Sequence, residues 1–250
     1  MTPIADEIAE IEPDDARRWF ESTIASRLEP LHRYADALTN LAYPPAPGRA
    51  ARRPILTSND VESLNSRVED LVTDYAPIIG AGFIAGPGIV EGADRYMLWL
   101  QRRNGAIRRL RLNFDISDLD AYDYVGMDWY IRACDRLQPS MTGPYLDYSG
   151  SDALVLTASI PVVVGDRIIG VVAVDLMAQA VEELMTTHLC RMRGEVVVVN
   201  QERAVISTNS VRWMPGERLP AMPSDDPDGF VRVTEIDQWT QWQLAVLRSD

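Results

Sequence analysis

The chain has 250 residues, 46% of them hydrophobic and 24% charged, which suffices to bury a core in one large domain or in one domain with a smaller companion. Its formal net charge is -13 and every basic residue is an arginine. That balance argues against a nucleic-acid backbone or an anionic membrane as partner, because both are held by basic surface.

The N-terminal stretch MTPIADEIAEIEPDD is acidic where a secretory leader needs positive charge ahead of an apolar run. No stretch approaches the roughly 20 apolar residues of a spanning helix. Cys134 and Cys190 make neither a disulfide framework nor a metal spacing. The expected compartment is a reducing cytoplasm.

Pro13, Asp14 and Asp15 open a helix, with proline in the first turn and acids near the positive end of the dipole. Phe20, Ile24, Leu28, Leu31, Ala35, Leu38 and Ala42 continue it at helical spacing, and Pro30 is expected to kink it without ending it. YPPAPGRAARRP, from Tyr43, is a breaker-rich connector. TSNDVESLNSRVEDLV predicts a second helix, capped by Ser58 or Asn59, burying Val61, Leu64, Val68 and Leu71.

The period then changes. GFIAG reads as a strand, and in DRYMLWLQRRNGAIRRLRLNF the pair Asn104-Gly105 splits two alternating runs, a hairpin signal. GAGFIAGPG, from Gly80, lacks the spacing and context of a dinucleotide loop, so strand ends and a turn account for its glycines. Residues 120–150 crowd tyrosines, a Trp-Tyr pair and aspartates onto a loop, a short helix and another loop. ALVLTASIPVVVGDRIIGVVAVDL is a second hairpin turning at Gly165-Asp166, apolar enough to lie centrally in a covered sheet. MAQAVEELMTTHL predicts a short helix. EVVVVNQERAVIS, an acidic proline-rich loop, FVRVTEI and WQLAVLRS then build a smaller sheet. The class is α+β.

Nothing assembles a reaction centre. His32 and His188 stand alone on predicted helices, and no nucleophile elbow, zinc helix or phosphate loop occurs. Asp128, Asp135, Asp147 and Asp175 are available for acid–base work, but nothing pairs them around a scissile bond. The expectation is a protein that is not an enzyme, with no catalytic residue, cofactor or metal.

Aromatic faces and a carboxylate can together replace the hydration of a small cation. A ring contributes about 0.5–2 kcal/mol by cation–π attraction, and an ammonium–aspartate hydrogen bond roughly 1.5–3 kcal/mol. The alternative is that Trp129 and Tyr130 are core and that Asp147 caps a turn. From residue types alone both readings stand.

MDWYIRACDRLQPSMTGPYLDYSGSDALVLTASIPVVVGDRIIGVVAVDL resembles the Cache family of extracytoplasmic-type sensor domains. It has a Trp-Tyr on a short helix, Pro-Tyr-x-Asp, a strand near Thr and Pro, a turn, and Gly-Val-x-x-x-Asp-Leu. The likeness is most specific over residues 120–180 and weakens in the last sixty or so. It implies a long N-terminal helix and connector (1–54), a PAS-like antiparallel Cache module (55–189) and a smaller second α+β sheet module (190–250). Carried over from the amino-acid-binding subclass, the ligand positions are Tyr122, Trp129, Tyr130, Tyr145, Asp147 and Asp175, which would cage and neutralise an amino group. The arginine that grips the ligand's carboxylate in that subclass is replaced by Met127, which offers no donor. What survives resembles the amine-binding relatives, whose ligands are biogenic amines or polyamines.

Arg132 is a second candidate for the missing grip, on the far side of the Trp-Tyr pair. Asp128 reads either as a capping acid or as the partner of a distal ammonium. Thr157, Tyr124, Tyr96 and Trp99 read as pocket lining or as packing. The resemblance implies signal transduction. With no anchor and no output domain in the sequence, the expectation is a cytoplasmic sensor reporting through its long helix, or through a homodimer built on it, to a transcription regulator or other output protein. A protein–protein interaction module with a degenerate pocket is the competing class.

Overall fold

The computed structural model describes residues 11–42 and 55–248, so the connector read at 43–54 lies outside the described residues. Two compact units are present: residues 27–178, and the described part of 1–26 with 179–250. Helix α1, Pro13–Ala42, contributes residues to each and contains Pro30 without ending there. Its stripe Leu28, Leu31, Ala35 and Leu38 is buried on both sides of that proline.

In the larger unit, the helix expected as one piece is two, α2 (Ser58–Glu62) and α3 (Asn65–Asp74). The cap is Thr57, not Ser58 or Asn59. Asp60 N–H donates to the Thr57 hydroxyl at 3.1 Å, and Thr57 N–H donates to the Asp60 carboxylate at 2.7 Å. Ser58 has Val61 three positions on and cannot form this reciprocal pair. Asn59, three ahead of Glu62, lies inside α2, and Glu62 is held by Tyr96 and Arg109. The expected apolar face is nevertheless intact, with Val61, Leu64, Val68 and Leu71 all buried.

Six strands follow: β1 (Ile78–Ala85), β2 (Met97–Arg103), β3 (Ala106–Arg109), β4 (Ser140–Leu146), β5 (Leu154–Val164) and β6 (Arg167–Met177). They form one sheet in the order β3-β2-β1-β6-β5-β4, every neighbouring pair antiparallel. Asn104 and Gly105 take φ +52° and +76°, the left-handed pair that a tight two-residue hairpin demands. One face of the sheet carries Ala81, Phe83, Leu98, Val172, Val174 and Ala158, all buried, with α3 packed on β1 and β2. The other is covered by helix α4 (Asp128–Arg136), which packs on β4, β5 and β6. Burial on both faces explains why β1 and β6 read as continuous apolar runs without alternation. Each Leu- or Phe-sized side chain so covered contributes about 1.5–3 kcal/mol.

The smaller unit holds helix α5 (Ala178–Leu189) and strands β7 (Val196–Val199), β8 (Val205–Thr208), β9 (Phe230–Glu235) and β10 (Gln243–Leu247), in the order β8-β7-β10-β9. Val197, Val199, Val205, Leu219, Phe230, Ala245 and Leu247 form its core. His188, at the end of α5, stacks on Trp19 with ring centroids 4.0 Å apart and planes 6° apart. Burial, and then the charge of Arg191, hold its pKa below the usual histidine value, as suits a packed neutral ring. The α+β class expected from sequence, a PAS-like antiparallel sheet followed by a smaller sheet, is the observed one. No helix among the described residues is long and apolar enough to cross a membrane.

Candidate ligand-binding site

The sheet registers decide what meets on the α4 side. Ile84 pairs with Met97 and Val171, Gly82 with Trp99 and Ala173, and Gly80 with Gln101 and Asp175; Asp175 in turn pairs with Thr157 on β5. Paired residues share a face, so Ile84, Met97, Trp99, Ala173, Asp175 and Thr157 look the same way. The floor beneath them is made of small residues. A Cβ on Gly80 would meet the Trp99 ring at 2.8 Å, and one on Gly82 would lie 1.9 Å from the Leu98 carbonyl oxygen. Gly80 and Gly82 are therefore mid-strand and not strand ends, because the indole and the β2 backbone approach too closely for any side chain. Gly86 and Gly88 fall at the end of β1 and in the turn after it, as expected.

Tyr145 reaches this face through an irregularity in β4. Thr142 pairs with Thr157 but Tyr145, not Pro144, pairs with Val155. The extra residue is absorbed at Gly143, whose φ of +113° is open to glycine alone. Without the bulge, proline would face the cavity and tyrosine would face away.

The result is a partly open cavity with about 390 Å³ of atom-free space, its mouth included. Tyr122, Trp129, Tyr145, Asp147, Asp175 and Thr157 line it, together with Trp99, Met97 and Ile84, Leu110 and Leu112, Ala173, Ser149 and Gly150. Five of the six carried-over residues are thus brought together, and Thr157 joins them. Tyr130 is not part of the lining. It is buried behind Trp129, edge-on at 6.0 Å and 83°, and packs at 5.5 Å against Tyr124. Tyr124 is fully buried core; its hydroxyl donates to the Ala85 carbonyl at 2.7 Å and accepts from Tyr96 N–H at 3.3 Å.

Met127 is the N-cap of α4, partly exposed and outside the lining. Asp128 is the first residue of α4 and exposed, so its side chain is not the cap. Neither Arg132 nor Tyr96 lines the cavity; Tyr96 donates to Glu62 at 2.7 Å. Sequence reasoning left Trp99 undecided and missed Met97, Leu110 and Leu112. The alternation of DRYMLWL places Met97 and Trp99 on one strand face, and that of LRLNF places Leu110 and Leu112 likewise; both were available signals.

The polar floor is a short chain of bonds. The Thr157 hydroxyl donates to Asp175 Oδ1 at 2.6 Å, and the Tyr145 hydroxyl lies 2.6 Å from Thr157 Oγ1. Asp147 does close a turn: Gly150 N–H donates to Oδ1 at 3.1 Å, and Ser151 donates to Oδ2 from its N–H at 2.7 Å and its hydroxyl at 3.0 Å. It lines the cavity as well, so capping and exposure to a guest coexist in one carboxylate.

Burial pushes the Asp175 carboxyl up to about 7; the Thr157 bond pulls it down, and the charge of Asp147 adds to the rise. Burial likewise raises the Tyr122 and Tyr145 hydroxyls, with both aspartates contributing. No arginine or histidine is among the lining residues. The cavity is therefore a place of excess negative potential with aromatic walls, favourable to a desolvated cation. Among the described residues no cluster of side chains could hold a metal ion.

A family model for the methyl-accepting chemotaxis protein-like, first PDC sensor domain matches residues 64–183, just under half of the chain. The chain is similar in structure to the extracellular domain of the putative histidine kinase mmHK1S-Z3, with TM-score 0.61, 13% identity, and 93% of this chain and 89% of that one covered. It is also similar to the ligand-binding domain of the Campylobacter jejuni chemoreceptor Tlp3 in complex with 4-methylisoleucine, with TM-score 0.57, 14% identity, and 94% and 88% covered. A third neighbour, methyl-accepting chemotaxis protein X, gives TM-score 0.56 at 16% identity over 94% and 96%. At these identities the structural likeness speaks for the fold. No curated protein matches the chain.

Proposed function

We propose, from the match of residues 64–183 to the first PDC sensor domain model and the Cache-like fold, that the chain is a sensor whose cavity takes a small cationic amine, a biogenic amine or polyamine. The observation that carries this reading is the pairing of Asp147 and Asp175 in one aromatic-walled cavity whose lining includes no positive side chain. An ammonium entering there exchanges water for Asp175 and for the faces of Trp99, Trp129 and Tyr122, and its charge relieves the repulsion between the two carboxylates. An amino acid would bring a third carboxylate into a site already holding two. Without a cation to meet it, that group costs several kcal/mol to bury.

Amino-acid binding is the second reading. It is favoured by the Tlp3 ligand-binding domain, which has been solved with L-valine and with L-norvaline. In this chain the ligand carboxylate would have to be met by neutral donors such as the Ser149 hydroxyl. A thermal-shift series with monoamines, diamines and aliphatic amino acids separates the two. A ligand at 100 times its dissociation constant adds about 2.7 kcal/mol of stability. Stabilisation by amines alone supports the proposal, and stabilisation by valine or isoleucine alone overturns it.

The proposal keeps the cytoplasmic placement read from the sequence, although two neighbours are extracellular domains. Cell fractionation tests it, and recovery of the chain outside the cytoplasm would refute that placement.

A further inference from the structure

Resting on that amine reading, we infer that the head of the site selects a primary ammonium over its N-methylated forms, because three acceptors and not merely a negative field meet the guest's nitrogen. An ionised Asp175 can only accept, so the single proton of the Thr157 hydroxyl is committed to Asp175 Oδ1. Tyr145, 2.6 Å from the same Thr157 oxygen, must then be the donor in that contact. The direction of the chain is fixed as Tyr145 to Thr157 to Asp175, and it leaves the lone pairs of the Tyr145 oxygen open as an acceptor.

Among the described residues Asp175 accepts a side-chain bond from Thr157 alone, so Oδ2 is left for a guest. Asp147, already holding three donors, keeps a lone pair on Oδ1, which accepts only from Gly150 N–H. The Tyr145 oxygen and Asp175 Oδ1 each sit 2.6 Å from one atom, so they lie within about twice that distance of each other. A nitrogen making two N–H···O bonds of about 2.8 Å reaches two oxygens up to twice that far apart, so the Tyr145 hydroxyl and the Asp175 carboxylate are within span of one ammonium. A primary ammonium brings three donors to these acceptors. Each methyl group removes one, and a trimethylammonium keeps the cation–π attraction but leaves every acceptor desolvated and unmatched.

The experiment is calorimetric titration of the full chain at pH 8 with 3-methylbutylamine, its N,N-dimethyl derivative and its N,N,N-trimethyl derivative, on wild type and on Tyr145→Phe. Affinity should fall at each step, with the trimethyl form at least about tenfold weaker than the primary amine, as expected for losing even one charge-assisted hydrogen bond. Tyr145→Phe should weaken the primary amine and spare the trimethyl form, narrowing the gap. A trimethyl form as tight as the primary amine overturns the inference and leaves the amine reading standing. So does a Tyr145→Phe loss equal for both. Failure of all three amines to bind wild type would instead bring down the amine reading itself.

Discussion

Asp175→Asn is the most informative single change, because the binding and structural roles of this side chain predict opposite signs. Burial raises the carboxyl from its ordinary 3.8 to about 7. In the unfolded chain the group loses its proton near pH 4, while in the folded chain it keeps it until near pH 7. Stability associated with this residue is therefore fully present below pH 4 and is lost as pH rises through 7. At 1.36 kcal/mol per unit, the roughly three-unit difference amounts to about 4 kcal/mol of destabilisation in the ligand-free wild type at pH 8.

Asparagine has the same shape, accepts the Thr157 hydroxyl and carries no charge. Asp175→Asn should match wild type at pH 4 and be the more stable of the two at pH 8, its unfolding midpoint higher by several degrees. Amine affinity should fall roughly 10- to 150-fold, the range for one charge-assisted hydrogen bond of about 1.5–3 kcal/mol. Thermal denaturation from pH 4 to 8 and calorimetric titration measure both. A variant less stable than wild type at pH 8 that still binds amine would make Asp175 an anchor for the Tyr145–Thr157 chain and refute the electrostatic account.

The same shift predicts that wild-type amine affinity rises about tenfold per pH unit up to about 7 and is level above it, because the guest needs the ionised form; titrations at pH 5, 6, 7 and 8 check this, and a flat profile would contradict it. Gly82→Ala should cost on the order of 1–3 kcal/mol and disturb the β1–β2 ladder, since its Cβ would lie 1.9 Å from the Leu98 carbonyl oxygen; hydrogen exchange of Phe83 and Leu98 amides would show the loosening, and unchanged protection would count against the close approach. Met127→Arg places a guanidinium two residues before Trp129, at the partly exposed start of α4. Valine or isoleucine should then bind measurably without loss of fold, and no gain in amino-acid affinity would mean that position 127 is too far from the cavity to govern ligand charge.

Much of this protein is legible without coordinates. The hairpin at Asn104-Gly105, the apolar β5–β6 hairpin turning at Gly165-Asp166 and the face of α2 and α3 follow from local rules. Turn chemistry and residue period act over a few positions and need no distant partner. The cap at Thr57 lay equally within reach, since a reciprocal Thr–Asp pair is a four-residue pattern. Thr157, by contrast, meets Asp175 only because a bulge between Val162 and Val163 shifts the register by one.

The tertiary structure decided the rest. Trp129 and Tyr130 are chemically alike neighbours, yet one faces the guest and the other packs against Tyr124, because helix α4 offers adjacent residues to different surroundings. Tyr145 belongs to the site only because a bulge at Gly143 shifts it by one place, and Gly80 and Gly82 are needed only because the Trp99 ring and the β2 backbone lie against them. Asp175 is an ordinary carboxyl in sequence and an extraordinary one in the fold, since burial is supplied by strands and a helix that no short window contains. Local pattern fixes which elements form and which face is apolar. The register between strands, set by long-range pairing, determines which side chains share a cavity and how strongly their charges are felt.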